Sequence, residues 1–316
     1  MTDSSSKFQP FTLTLANSAT LTGRSYTPSG AGKKNQPLLV LLHGGGCHAG
    51  YYDVDEDHTA AATAHALQIP VVSINRPCYL GTSSLFPLPE NSSFHRETGR
   101  LEHSYIFPAL WKTFGLPNNC SAIVAIAHSM ANPGLLVAAS LHAEGGNPEY
   151  PLAGLIISGW GCRRNSDSQE FWIKLSEDEH KQNRHIVMLS DPKYRTTDDK
   201  MRLCLPEQTV EPPPEEAEEC VIGPWAKHFP DIAASISVPV MYAVGEHDWL
   251  WEGTFDNARE FAAFFKNCTR FDGSVVQGAP HAIEWSYYAA GWYARCFGFA
   301  IEVATHLTVM KESPFR

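Results

Sequence analysis

Short apolar runs recur along the chain, separated by longer segments whose apolar residues return at helical spacing. Pro37–His43, Val71–Ile74, Ala122–Ala127, Leu152–Ser158 and Val238–Val244 are continuous aliphatic runs rich in β-branched residues. Such runs mark strands buried on both faces. Phe11–Leu15 and Ala19–Tyr26 instead alternate polar and apolar residues around Ala16-Asn17-Ser18, which predicts an antiparallel hairpin. Helices are predicted up to Leu67, over Thr98–Phe114 with a bend at Pro108, over Ala131–His142, and from Thr254 to Asn267. The helix after Thr254 carries an apolar stripe at Phe255, Ala258, Phe261, Ala262 and Phe265. Arg270–Gln277 reads as the last strand and Ile283–His306 as the last helix. Strands alternating with helices give an α/β class with a mostly parallel sheet flanked by helices.

One stretch carries chemistry. Ala122–Ala127 runs into His128-Ser129-Met130, and small, helix-forming residues follow from Ala131. Strand, one-residue corner, helix is the grammar of a serine held on a sharp turn, its hydroxyl exposed at the top of a sheet. The turn needs small side chains two positions either side of the serine. Glycine is usual there, and Ala127 and Ala131 serve here. Pro133 is acceptable because it falls in the first helical turn, where its missing N–H costs nothing.

Two further stretches complete a pattern. Pro37–His43 leads into Gly44-Gly45-Gly46, and Val238–Val244 leads into Gly245-Glu246-His247-Asp248, followed later by Gly278-Ala279-Pro280-His281. The order Gly-rich loop, Ser129, Asp248, His281 resembles the α/β-hydrolase superfamily. The resemblance extends over roughly residues 37–307 and points to no single family within it. It implies that Ser129 is the nucleophile, His281 the base that takes its proton and returns it to the leaving group, and Asp248 the acid that fixes the imidazole tautomer. It also implies an oxyanion site built from the N–H of Met130 and that of Gly44 or Gly45. Glu246, Asp256 and Asp272 also precede His281, but Asp248 lies one short turn beyond its strand, where relatives carry the acid. Asn75–Ser84 is similar, in degenerate form, to the Asp-x-x-Gly-x-Gly-x-Ser loop of many relatives.

Residues 161–237 break the periodicity: charged amphipathic segments such as Gln169–Leu189 alternate with proline and acid at Glu211–Glu219. In the resembled fold a helical cap is inserted here, which makes residues 1–316 a single domain with a cap. Phe171, Trp172, Met188, Met201, Leu203, Leu205, Trp225 and Phe229 either form its inner face or pack only on one another. The acidic run reads as a solvated loop. Tyr51, Tyr52, Trp160, Trp249, Trp251 and Trp285 lie close to the site loops, as core filling or as pocket wall. Tyr51, Trp160 and Trp249 are the pocket candidates.

Composition narrows the partners. The 316 residues are 43% hydrophobic and 18% charged, ordinary for a soluble enzyme, and the net charge of −10 argues against nucleic acid and anionic membranes. No apolar run nears the ~20 residues that span a bilayer, and the start lacks a secretory apolar region. A cytoplasmic protein is expected. The eight cysteines lack CxxC or zinc spacing and read as free thiols. Asp53-Val-Asp55-Glu-Asp57 lacks the glycine and glutamate of a calcium loop, so Asp55 or Asp57 is expected to cap the helix that runs to Leu67. No metal or cofactor is expected.

The residues point to a serine hydrolase cleaving an ester, thioester or lactone of a small hydrophobic substrate through an acyl-serine. Acyl transfer, condensation or carbon–carbon cleavage by the same triad is the enzymatic alternative. A ligand receptor or scaffold without turnover is the alternative of another class.

Overall fold

The computed structural model describes residues 7–145, 149–166, 184–205, 209–221 and 225–312. Eight strands, β1 (Gln9–Thr14), β2 (Thr20–Tyr26), β3 (Pro37–Leu42), β4 (Val71–Ile74), β5 (Ala122–His128), β6 (Leu152–Ser158), β7 (Val240–His247) and β8 (Phe271–Pro280), form one sheet. Their order is β1-β2-β4-β3-β5-β6-β7-β8. The first hairpin and the β2/β4 pair are antiparallel, and every other neighbouring pair is parallel. The mostly parallel sheet flanked by helices expected from the sequence is present.

The helices are α1 (Ala60–Leu67), α2 (Phe94–Leu101), α3 (Phe107–Leu110), α4 (Asn132–Glu144), α5 (Arg184–Leu189), α6 (Asp199–Cys204), α7 (Pro214–Val221), α8 (Trp225–Ser235), α9 (Phe255–Ala262) and α10 (Ala289–Glu312). Strand alternation sorts their partners. Leu38, Val40 and Leu42 join a core with Leu135 and Leu136 of α4 and Phe261 of α9. Leu39 and Leu41 face the opposite core, with Ala60 and Ala64 of α1 and Trp292 and Phe297 of α10. Burial on both faces is why β3, β5 and β6 carry no polar alternation.

Local readings fail where capping and pairing decide. Thr59, not Asp55 or Asp57, caps α1, its side chain accepting from the Ala61 N–H. Asp55 instead accepts from the N–H groups of Asp57 and His58 and from the His58 ring. The helix bent at Pro108 is a continuous stretch from Phe94 to Gly115 in which two wide turns, Glu102–Ile106 and Trp111–Gly115, flank α3. Proline cannot donate to the preceding turn, and wider turns absorb the missing bond. Phe255 is 59% exposed, so the α9 stripe begins at Ala258.

The segment between β6 and β7 does not pack on itself alone. Met188, Leu189, Met201 and Leu205 join the core shared with α10. Trp225 and Phe229 join the core shared with α4. Leu203 is solvent-exposed, and Phe171 and Trp172 lie outside the described residues. The acidic run is not a solvated loop: it forms α7, with Glu216 fully buried and Glu219 nearly so. Glu216 is paired with Arg76 and accepts from the Tyr79 hydroxyl. Glu219 accepts from Ser93 Oγ and from the His95 N–H at the start of α2. Charge runs look solvated when their partners lie more than a hundred residues away.

Glu102 is buried beside this cluster, and neither carboxyl oxygen has a hydrogen-bond partner among the described residues. Burial pushes its pKa up to about 8, with Arg76 pulling it down and Glu216 pushing it up. Below the ordinary carboxyl range both folded and unfolded chains hold this proton. As pH rises toward 8 the unfolded chain ionises first, so stability falls by about 1.4 kcal/mol for each unit of separation. The urea midpoint should therefore decline between pH 5 and pH 8. Glu102→Gln should flatten that decline; an unchanged slope in the variant would show that other groups set it.

Candidate active site

Parallel register brings the carboxyl ends of β3, β5, β6, β7 and β8 to one rim, since Leu42 pairs with Ala127, His128 with Ser158, Ser158 with Ala243 and His247 with Pro280. On that rim β5 ends at His128 and the backbone turns at Ser129 with φ +52°. A non-glycine residue held there costs roughly 1–2 kcal/mol. Asn132 offsets the cost by donating its side-chain N–H groups to the carbonyls of Ser129 (2.9 Å) and Ser158 (3.0 Å). A 3₁₀ turn over Ser129–Ala131 then feeds α4, with Pro133 in its first turn as the sequence predicts.

Ser129, His281 and Asp248 are brought together. Ser129 Oγ lies 2.9 Å from His281 Nε2, and His281 Nδ1 lies 2.8 Å from Asp248 Oδ2. This geometry assigns the proton to Nδ1, which donates to the carboxylate and leaves Nε2 to accept from the serine. Asp248 Oδ1 accepts from the backbone N–H groups of Leu250 and Trp251, which hold the carboxylate in place. All three residues are almost wholly buried, Ser129 being 7% exposed. Glu246 faces solvent and accepts from the Gly278 N–H. Asp256 and Asp272 pair with Arg259 and Arg270.

The glycine loop after β3 closes on the serine. A side chain on Gly44 would stand 2.9 Å from His128 Cδ2 and 3.2 Å from Ser129 Cβ, and one on Gly45 would run into Met130 Sδ at 2.1 Å. At Gly44, which faces the His128 ring and the Ser129 Cβ, glycine is needed for close approach, whereas at Gly45 the flexible Met130 side chain could give way. The Gly46 N–H is spent on the Tyr79 hydroxyl at 3.2 Å. Among the described residues no hydrogen bond occupies the N–H of Gly44, Gly45 or Met130. His43 braces the loop: Nδ1–H donates to the Gly44 carbonyl, and Nε2 accepts from the Arg76 N–H. Burial and the Arg76 charge hold the His43 pKa well below the usual range, so it stays neutral. Arg76 also donates to the His43 carbonyl and, paired with Glu216, ties α7 to the loop.

A second network lies behind His281. The His128 ring is 4.7 Å from the His281 ring and stacks on Tyr51. His128 Nδ1 meets Ser158 Oγ at 3.1 Å, and Ser158 donates to Glu284 Oε1. Glu284 also accepts from the Tyr51 hydroxyl at 2.7 Å and from Trp292 Nε1 at 2.8 Å. Burial raises its pKa, and these donors pull it back only in part. Burial, with His281, His43 and Arg76 nearby, pushes the His128 pKa well down. His128 is thus a neutral packing partner of the elbow.

The pocket candidates fare differently. Tyr51 is fully buried between His128, Tyr52 and Trp285, with no face left for a substrate. Trp160 is buried in the core against Trp251. Trp249 alone of the three keeps partial exposure, next to Asp248. Sequence reasoning missed Arg76, Asn132, Ser158, Glu216 and Glu284. One signal was available: Glu284 is a lone acid in the otherwise apolar Ala282–Trp285, and charged residues in such runs are rarely buried unless partnered.

No family model matches the sequence, and no curated protein matches it. Solved structures do. An esterase from Thermogutta terrifontis superposes with TM-score 0.54 at 15% identity, over 94% of this chain and 99% of that one. A proline iminopeptidase from Mycobacterium smegmatis gives 0.57 at 16% identity, over 95% and 100%. An N-acyl homoserine lactonase gives 0.60 at 11% identity, over 94% and 97%. At these identities the likeness is one of fold, the α/β-hydrolase fold.

Two stability outcomes follow. Ser129→Gly should be more stable than Ser129→Ala by about 1 kcal/mol in urea unfolding, because only glycine relieves the left-handed turn. Equal stabilities would mean the turn is unstrained. Glu284→Ala should cost more than about 3 kcal/mol, because it leaves the donors on Tyr51, Ser158 and Trp292 buried without an acceptor. A loss below 1 kcal/mol would show that these donors find other partners.

Proposed function

With the α/β-hydrolase fold established and a serine, a histidine and an aspartate hydrogen-bonded in series at its rim, we propose that this protein is a serine hydrolase. Its substrates are esters, thioesters or lactones of a small, largely hydrophobic acid. The observation that carries the reading is the relay itself, 2.9 Å from Ser129 Oγ to His281 Nε2 and 2.8 Å from Nδ1 to Asp248.

Ser129 Oγ attacks the acyl carbon while His281 Nε2 takes its proton, and Asp248 stabilises the imidazolium that forms. The negative oxygen develops beside the unspent N–H of Met130 and that of Gly44 or Gly45, each such donor lowering the barrier by roughly 3–4 kcal/mol. The imidazolium returns its proton to the leaving alcohol, thiol or lactone oxygen. Water, deprotonated by the same nitrogen, then releases the acid and frees the serine. Residues 161–237 act as the cap over this site, a role supported by their bonds to its loops. The Val210 N–H donates to the Gly46 carbonyl, and the Ala282 N–H, next to His281, donates to the Met188 carbonyl.

A fluorophosphonate probe should label the wild-type protein at Ser129 and leave Ser129→Ala unlabelled, while both unfold at similar temperature. Persisting label in the variant would sink the assignment. Asp248→Asn should lower turnover of a 4-nitrophenyl ester by roughly 10⁴-fold through loss of the enforced tautomer. Glu246→Gln should cost far less, and the reverse order would move the acid to Glu246.

A further inference from the structure

Arg184, the first residue of α5, packs its guanidinium against the glycine loop. The space a Gly46 side chain would take is filled by its guanidinium, Nη2 standing 1.3 Å from where a Cβ would be. Gly46 adopts φ +65°, a left-handed conformation that favours glycine, and the guanidinium takes the room this leaves. The guanidinium makes two long contacts, from Nη2 to the Gly45 carbonyl and from Nη1 to the Val210 carbonyl, each 3.4 Å. Among the described residues no carboxylate lies within ion-pair distance of it. Arg76, which braces the same loop from His43, is by contrast paired with a carboxylate, that of Glu216.

A guanidinium offers five N–H donors in a rigid fork suited to a carboxylate. Two weak carbonyl contacts leave most of that capacity unspent, and a partly buried charge without a counterion is costly. Fastening the chain does not require the charge, because the Val210 N–H already bonds the Gly46 carbonyl at 2.9 Å. The cation also sits on the loop whose neighbouring residues, Gly44 and Gly45, press on Ser129 and Met130. We infer that Arg184 is a specificity-determining residue that binds a carboxylate on the substrate, so that the substrate class is an ester or lactone whose apolar acyl chain bears a second, free acid. This rests on the proposed hydrolase reading and narrows it.

The probes are 4-nitrophenyl hydrogen suberate and its methyl ester, equal in chain length and leaving group but differing by one charge, with a chain too long for the free carboxylate to attack its own aryl ester readily; rates are taken above spontaneous release. Wild-type kcat/KM should favour the acid over the neutral diester by at least tenfold, and added salt should shrink the ratio. Arg184→Gln should bring the ratio near unity. Arg184→Lys should keep part of it, since an ammonium supplies charge without the fork. Equal efficiency of the wild type on both esters overturns the inference. So does an Arg184→Gln variant, folded by circular dichroism, in which both rates fall together and the ratio survives, because Arg184 would then only position the loop. If the wild type cleaves neither ester and Ser129 takes no fluorophosphonate, the hydrolase reading itself falls, and the inference with it.

Discussion

The site depends on one backbone torsion, the left-handed turn at Ser129. A strand cannot hand over to a helix in a single residue unless its neighbours stay out of the way, and the surrounding sequence obeys that demand. Ala127 and Ala131 flank the serine, and Gly44 approaches from the adjacent strand end. Gly159, itself at φ +59°, approaches from the other side, where a Cβ would stand 2.6 Å from His128 Cε1 and 2.9 Å from His281 Cε1. The strain at Ser129 is thus held by four small residues and by Asn132, which ties the Ser129 carbonyl to that of Ser158 at the end of β6.

Around this turn the protein treats its buried acids in three different ways. Glu216 has a full countercharge in Arg76, Glu284 has three neutral donors, and Glu102 has no partner among the described residues. The pKa of Glu102, which has nothing to stabilise an anion, is pushed up to about 8, so it stays largely protonated at neutral pH. The histidines divide in a parallel way. His43 and His128 are pushed toward the neutral form by burial and bond backbone or hydroxyl groups. His281 alone of these three meets a carboxylate at hydrogen-bond distance. The same side chain thus sits in different electrostatic settings within one site.

Much of this was legible in the chain because it depends on local order. Buried strands declare themselves as uninterrupted aliphatic runs, and the elbow declares itself as strand, small residue, serine, small residue, helix. Asp248 was separable from Glu246 because strand alternation carries the latter outward, where it meets Gly278 instead of His281. What stayed hidden depends on distant partners. Nothing in Glu211–Glu219 reveals that Arg76 waits for Glu216, or that the start of α2 waits for Glu219. Tyr51 could be read from the sequence as core or as pocket wall, and its enclosure by His128, Tyr52 and Trp285 is visible only in three dimensions.

The residues between β6 and β7 are fastened to the glycine loop and to the loops that carry Asp248 and His281. Val210 bonds Gly46, Ser190 Oγ donates to the His247 carbonyl beside Asp248, and Met188 accepts from Ala282 beside His281. Thr197 Oγ1 adds a bond to the Trp285 carbonyl. Each is worth about 1 kcal/mol net, so lifting any one part of the segment is inexpensive, while lifting all of it at once is not. These bonds end on residues beside Asp248, His281 and Gly45, so the positions of those loops depend on the segment between β6 and β7.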